Sequence, residues 1–213
     1  MPSRDTMQNC DRGLLLVVSG PAGVGKGTID AAVVSRNSDI RFSVSATTRK
    51  PRPGETNGVH YFFKSEAEFC AMIERNAFIE WMHVFKLHYY GTPRNFVEEQ
   101  LLCGNSVILE IDVEGAMRVR ESYPDAVLIF IAPPTMTDLK TRLVGRATET
   151  PEVIEKRYAA AIRELEYMDK YDYVVINRVV EQAVTQMEAI ITAEKCRASR
   201  VHTGVLKSAH SQS

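Results

Sequence analysis

The sequence predicts an α/β fold built on a central parallel sheet. Three apolar runs, at 14–19, 106–111 and 126–131, lack polar alternation, which is typical of strands buried on both faces. Segments with helical character alternate with these runs, and a fourth run at 173–176 repeats the pattern. Of the 213 residues, 45% are hydrophobic and 25% charged, as in one globular domain or one domain with inserted lobes.

The charge balance and the cysteines exclude several classes of function. A net charge of -1 argues against a polycation that coats nucleic acid or a membrane, so we expect neither partner. No apolar run approaches the ~18–20 residues that span a bilayer. Four cysteines without C-x-x-C spacing and a polar start without a signal peptide favour free thiols in the cytoplasm, with no structural zinc.

Shorter strands are expected between the buried ones. A loop at 47–60 is basic and rich in proline and glycine, and short strands flank it. The additional strands are predicted at 43–46, 61–63, 77–84 and 89–91.

Two helix starts carry local signals. Ser65 stands three residues before Glu68, a capping-box pattern, and Pro93 suits the first turn of a helix. The helices are predicted at 28–36, 65–75, 93–103, 137–145 and 151–170 and from residue 180 onward.

The strongest motif lies directly after the first strand and before a helix. Its glycines and Lys26 match the P-loop pattern, in which inward-pointing N–H groups and a lysine bind nucleotide phosphates. A glycine-rich turn without a ligand is the alternative, which Lys26 and the flanking elements disfavour. The predicted ATP-binding residues are Gly20, Pro21, Ala22, Gly23, Val24, Gly25, Lys26, Gly27 and Thr28.

The P-loop departs from its usual pattern at one position. Gly27 stands where a Ser or Thr ordinarily binds Mg²⁺. We therefore expect Mg²⁺ to be held with ATP mostly through phosphates and water, without a dedicated protein metal site.

A second anion site is predicted in the segment after the P-loop helix. Arg49 and Arg52 lie three residues apart among prolines, and a guanidinium fork matches phosphate oxygens. Tyr61 and Tyr90 can donate hydroxyls to the same phosphate. A solvated basic loop is the alternative reading of the two arginines taken alone.

Together these motifs resemble the guanylate kinase family, which phosphorylates GMP with ATP. The resemblance runs in family order from about residue 14 to 195. The matching stretches are SGPAGVGKGT (19–28), FSVSATTRKPRPGE (42–55), NGVHYFF (57–63), FIEW (78–81), YYGT (89–92), ILEIDVEGA (108–116), FIAPP (130–134), LKTRLVGRATET (139–150) and VIEKRYAAA (153–161).

The resemblance implies a GMP site that guanine chemistry supports. It assigns the GMP phosphate to Arg49, Arg52, Tyr61 and Tyr90, and the base to Ser45, Glu80, Thr92 and Asp112. Guanine donates from N1 and N2, which suits the carboxylates, and accepts at O6, which suits the hydroxyls. Glu110 is a further candidate for the same neighbourhood, and a strand-end acid near Mg²⁺ is an alternative role for Asp112.

The resemblance also implies a helical lid that closes over ATP. It places Arg142, Arg146 and Arg157, together with Arg52, at the transferring phosphoryl group, and Asn177 at adenine. Departures from the family pattern occur at Ala147, at Arg178 and at Lys86–Leu87.

The implied organisation is a three-layer P-loop kinase core with two insertions. The units are a leader at 1–12, a core of 13–44, 93–135 and 170–198, a GMP-binding lobe at 45–92, a lid at 136–169 and a tail at 199–213. We expect a monomer or homodimer acting on ATP and GMP, with dGMP as an additional acceptor.

The sequence disfavours two alternative functions. A non-catalytic guanylate-kinase-like module that binds proteins is disfavoured by the intact P-loop with Lys26. A kinase for another monophosphate is disfavoured by the acids and hydroxyls assigned to guanine, because AMP would leave the carboxylates unpaired.

Overall fold

The computed structural model describes residues 12–84, 87–144 and 151–200. The leader and tail predicted at the two ends therefore lie almost entirely outside the described residues. The strands are β1 (Leu15–Ser19), β2 (Ile40–Phe42), β3 (Ala46–Thr47), β4 (Phe62–Phe63), β5 (Phe78–Val84), β6 (His88–Pro93), β7 (Ser106–Glu110), β8 (Val127–Ala132) and β9 (Tyr173–Ile176). The helices are α1 (Lys26–Arg36), α2 (Glu66–Glu74), α3 (Arg94–Leu102), α4 (Val113–Ser122), α5 (Met136–Val144), α6 (Pro151–Leu165) and α7 (Val180–Lys195).

Five parallel strands form the central sheet in the order β2-β7-β1-β8-β9. Successive residues of β1 alternate between two apolar clusters. Leu16 and Val18 pack with side chains of α1, α5 and α7, whereas Leu15 and Val17 pack with side chains of α3 and α4. Helices thus cover both faces of the sheet, which confirms the predicted α/β fold with a central parallel sheet.

Two strand predictions are wrong. Residues 43–46 do not form one strand; the fifth strand is β2, in which only Ile40 is buried, so it carries no apolar run that the sequence could show. The run at 173–176 is not buried on both faces, because β9 is an edge strand whose Val174 is 43% exposed.

The helix α4 was not predicted, although it carries a start signal. Asp112 caps it by accepting a hydrogen bond from the Gly115 N–H at 2.7 Å. Val113, Ala116 and Val119 follow at helical spacing and are buried. The capping box at Ser65 and Glu68 is confirmed, with both of its hydrogen bonds present.

A second, four-stranded sheet has the order β4-β3-β6-β5. β5 and β6 pair antiparallel as a hairpin, and β3 pairs antiparallel with β6. Phe69 of α2 stacks on Phe78 at 4.4 Å between ring centroids, which fixes the helix on this sheet. The sheet falls within the predicted lobe apart from the end of β6, while the unit boundaries stay predictions.

Helix α1 carries a buried acid without a hydrogen-bond partner in the described ranges. Asp30 on α1 has 0% exposure, and neither of its carboxylate oxygens has a hydrogen-bond partner in the described part of the chain. Burial and then the nearby Glu110 carboxylate raise the pKa of Asp30 well above its ordinary value, while Lys26 lowers it.

Asp30→Asn should stabilise the protein, because it removes an unpaired buried charge at constant shape. Since the folded-state pKa is raised, the stability that Asp30 contributes is fully present below about pH 4, its unfolded pKa, and is lost as the pH rises through the folded pKa. We expect a gain of roughly 1–3 kcal/mol near neutral pH that shrinks towards about pH 4, measured by urea unfolding. A gain that does not change with pH would contradict this explanation.

Candidate active site

The P-loop is the connection between β1 and α1. Gly25 is the N-cap of α1 with φ 100° and ψ 21°, a left-handed conformation that favours glycine. A Cβ at Gly25 would also lie 2.6 Å from Asn177 Nδ2, so space excludes a side chain there. The loop therefore curls tightly against the N-terminus of α1, where backbone N–H groups attract anions.

Lys26 provides the cation of this loop. Its Nζ donates hydrogen bonds to the carbonyl of Gly20 at 2.5 Å and to that of Pro21 at 3.3 Å. The lysine is half-buried and lines a cleft, so its ammonium group can exchange these carbonyls for phosphate oxygens.

The cleft joins the P-loop to the small sheet. It has a volume of 340 Å³, within the range of small-molecule sites. Its lining includes eight residues that the sequence assigned to ATP or GMP. These are Gly20, Ala22, Lys26, Ser45, Tyr61, Glu80, Tyr90 and Asp112; the others are Met82, Val84, Gly91, Glu110, Ile111 and Glu164.

Glu80 is a buried carboxylate at the wall of this cleft. It lies on β5, and Thr92 on the neighbouring strand β6 donates its hydroxyl to Glu80 Oε1 at 2.8 Å. Burial raises the pKa of Glu80 to about 7, the Thr92 hydrogen bond opposes the rise, and the nearby Asp112 adds to it. The group is thus poised between its neutral and ionised forms near pH 7.

Asp112 approaches Glu80 from the end of β7. A Cβ placed at Gly115 would be 3.3 Å from both Asp112 Oδ1 and Glu80 Oε2, so the two carboxylates converge on one point. Asp112 stays accessible to the cleft, while its surroundings raise its pKa through desolvation. Two hydrogen-bond acceptors therefore face the same space.

Arg49 belongs to a cluster at the other end of the cleft. Its guanidinium forms a bidentate pair with Glu55, at 2.9 and 2.8 Å, and lies 5.4 Å from the centroid of the Tyr61 ring. The Tyr61 and Tyr90 rings meet edge to face at 6.0 Å. The Arg49 pair lowers the pKa of Glu55 to about 2, so this carboxylate stays ionised and orients the arginine.

The sequence assigned no role to Glu55, although it closes the same proline-rich turn. Its Oε2 also accepts a hydrogen bond from the backbone N–H of Arg52 at 2.7 Å. The Arg52 side chain itself is exposed. An acid three residues after an arginine in a turn is the signal that could have identified Glu55.

Two more acids approach Lys26. Burial raises the pKa of both Glu110 and Glu164, and Lys26 opposes the rise in each case. Glu164 was not predicted, because its charged neighbours on α6 suggest an ordinary solvated helix face. Glu110 Oε2 lies 3.4 Å from where a Cβ of Gly27 would stand, so a carboxylate occupies the space beside the missing Ser or Thr side chain.

This donor set fits a Mg²⁺ ion that is bound with nucleotide phosphates. Oxygen ligands suit Mg²⁺, and the described residues contain no cluster of three metal-ligating side chains that would bind it alone. Glu110, whose Oε2 lies beside Gly27, would be a carboxylate available to such an ion.

Arg142, Arg157 and Asn177, which were also predicted, do not line the cleft. Arg142 donates to the carbonyls of Val24, at 3.2 Å, and Asn177, at 3.0 Å. Asn177 is 2% exposed and contacts the P-loop. Arg157 is half-buried on α6, and Arg146 lies outside the described residues, as do Ala147 and Lys86.

A curled glycine loop with a lysine at the edge of a parallel sheet, facing a pocket with convergent carboxylates, is typical of the class of P-loop kinases. Across the described residues, no helix has the length and apolarity required to cross a membrane.

Comparison with known proteins narrows this class to one family. The guanylate kinase family model matches residues 12–194. Guanylate kinase of Caldanaerobacter subterraneus subsp. tengcongensis is 54% identical over 189 residues, covering 89% of this chain and 91% of that protein. Guanylate kinase of Halalkalibacterium halodurans is 52% identical over 191 residues, covering 90% of this chain and 93% of that protein.

The fold agrees with a solved structure of the same family. The crystal structure of guanylate kinase from Anaplasma phagocytophilum superposes with a TM-score of 0.74 at 31% identity, covering 89% of this chain and 90% of that one. The chain belongs to the guanylate kinase family.

Thr92→Val should raise the pKa of Glu80 further above about 7, because it removes the donor that stabilises the carboxylate. Asp112→Asn should lower this pKa, because it removes a neighbouring negative charge. Carboxyl-carbon NMR titration of Glu80 in the two variants measures both shifts. Shifts of the same sign in both variants would contradict the assigned electrostatics.

Proposed function

We propose that this chain, a guanylate kinase, holds ATP and GMP in the described cleft so that the γ-phosphoryl group of ATP passes to the GMP phosphate. The products are ADP and GDP. The observation that carries the residue assignments is that Lys26 and the Glu80–Asp112 carboxylates line one and the same cleft. The lysine of the P-loop and the carboxylates of the acceptor pocket therefore face one another across the cleft.

The convergent carboxylates select the base of the acceptor. The ionised Glu80 and Asp112 accept hydrogen bonds from guanine N1–H and N2–H, and the half-buried Ser45 hydroxyl donates to O6. Thr92 acts on the base through Glu80, since its hydroxyl proton is already donated to that carboxylate. Adenine has an acceptor at N1 and a donor at position 6, so AMP would leave the buried Glu80 and the neighbouring Asp112 without donors from the base.

The arginine–tyrosine cluster holds the phosphate of the acceptor. Glu55 pre-orients Arg49 beside Tyr61 and Tyr90, which places a guanidinium group, paired with this carboxylate, and two phenolic hydroxyls at one end of the cleft. The exposed Arg52 joins them when the acceptor phosphate is bound. dGMP shares the base and phosphate of GMP, so we infer that it is accepted as well.

The P-loop holds the donor and stabilises the transferred group. One bond breaks, between the γ-phosphorus and the oxygen bridging it to the β-phosphate, and one bond forms to an oxygen of the GMP phosphate. That oxygen is already anionic, so no general base is needed, and catalysis depends on alignment and positive charge. Lys26 supplies charge from the loop, and Arg52, Arg142, Arg146 and Arg157 are the further cations proposed.

Mg²⁺, if it bound together with ATP, would supply positive charge that neutralises the phosphates, and Glu110 and Gly27 are the residues that would surround it. Glu110 and Glu164 line the same cleft as Lys26 and would repel a triphosphate. Binding of ATP there therefore calls for a further cation such as Mg²⁺. We propose that Glu110 orients the hydrated ion, while Gly27 leaves the space for it.

The wild-type chain with MgATP should release ADP with GMP and dGMP as acceptors and much less with AMP, CMP or UMP. Because AMP would leave the carboxylates unpaired, kcat/KM should be lower for AMP than for GMP by a factor on the order of 10⁴. A coupled ADP-release assay over the five monophosphates measures the preference.

The variant Lys26→Ala separates phosphoryl transfer from acceptor binding, since it removes the ammonium group while retaining the acceptor pocket. It should reduce kcat with GMP by about 10²-fold or more, with unchanged GMP affinity by calorimetry. Comparable turnover of AMP and GMP, or full activity of Lys26→Ala, would contradict the proposed function.

A further inference from the structure

The carbonyl of Val24 in the P-loop receives two side-chain donors. Asn177 Nδ2 donates to it at 2.7 Å, and Arg142 Nη1 donates to it at 3.2 Å. A second nitrogen of Arg142 donates to the backbone carbonyl of Asn177 at 3.0 Å. These contacts tie the P-loop to the segment after β9 and to helix α5.

The Asn177 amide is firmly held where it makes this contact. Its backbone N–H donates to the carbonyl of Ala132 at the end of β8, at 2.9 Å, which anchors the residue to the central sheet. Its side chain is buried, and its Nδ2 occupies the space where a Cβ of Gly25 would lie. The amide of Asn177 therefore fits against Gly25 because glycine has no side chain.

The planarity of the peptide bond links the contact at the Val24 carbonyl to the orientation of a backbone N–H group in the phosphate-binding loop. In a planar trans peptide the C=O and the N–H point in opposite directions. The Val24 carbonyl belongs to the same peptide unit as the Gly25 N–H. Holding the carbonyl towards β9 and α5 therefore directs the Gly25 N–H to the opposite side, into the loop that cradles phosphate.

We propose that Asn177 is a positioning residue that acts on ATP through the P-loop, by fixing the orientation of the Val24–Gly25 peptide. This rests on the proposed binding of ATP phosphates at the P-loop. It differs from the adenine contact that the family resemblance implies. In this structure Nδ2 is engaged by Val24, and Oδ1 is buried without a hydrogen-bond partner among the described residues.

Asn177→Asp tests the proposal, because it keeps the shape of the side chain and turns the donor into a second acceptor facing the Val24 carbonyl. The affinities to measure by calorimetry are those for MgATP and for magnesium tripolyphosphate, which has no base. Both should weaken by about tenfold in the variant. In steady-state kinetics KM for MgATP should rise while KM for GMP stays unchanged, whereas a loss of folded protein would lower kcat alone.

Two further variants control for charge and for folding. Arg178→Gln changes the net charge by the same amount at the exposed neighbouring residue and should leave tripolyphosphate affinity unchanged. Asn177→Ala removes the donor without adding an acceptor and should weaken both ligands together, with a melting temperature close to wild type.

Weakened ATP binding with unchanged tripolyphosphate binding would show that Asn177 contacts adenine and would overturn the proposal. Unchanged binding of both ligands would overturn it as well. A wild-type chain that fails to bind MgATP would instead refute the proposed function.

Discussion

The buried carboxylate of Glu80 is the constraint on which the candidate site depends. A carboxylate in the protein interior is costly unless hydrogen bonds compensate for its lost solvation. Thr92 supplies one such bond, and Asp112 adds negative charge instead of relieving it. The remaining capacity of the two carboxylates is available to a ligand with two adjacent donors, which guanine has and adenine lacks. In the proposed function, discrimination between bases follows from this deficit of protein donors.

The fold places the two carboxylates, which have few hydrogen-bond donors around them, opposite the P-loop, which is rich in donors. The P-loop presents backbone N–H groups and Lys26 at the carboxyl end of β1, and β7 delivers Glu110 and Asp112 to the same edge of the sheet. Sites at the carboxyl ends of parallel strands are common because the connecting loops gather there. The small sheet closes the cleft with Glu80 on β5. Under the proposed function the acids recognise the base and the cations recognise the phosphate, so the two ends of the acceptor nucleotide would be oriented in opposite directions.

Sequence patterns predicted the parallel core and the glycine-rich loop between β1 and α1, and they singled out eight of the residues that line the cleft, because apolar runs, glycine spacing and family motifs are local in the chain. They did not predict β2, whose single buried residue Ile40 makes no apolar run. They also did not predict Glu164 or the bonds from Arg142 and Asn177 to Val24, which join residues more than a hundred positions apart. Such contacts depend on how elements pack, and spacing along one segment carries no signal for them.

The most direct measurement is GMP affinity as a function of pH, by calorimetry, in the wild type and in Glu80→Gln. Since ionised Glu80 accepts from guanine and its pKa is about 7, wild-type affinity should fall by roughly tenfold from about pH 8 to about pH 6 beyond any change in the variant. Titration of the GMP phosphate itself affects both proteins alike and cancels in the comparison. Equal pH profiles and equal affinities in the two proteins would contradict the claim that this carboxylate recognises guanine.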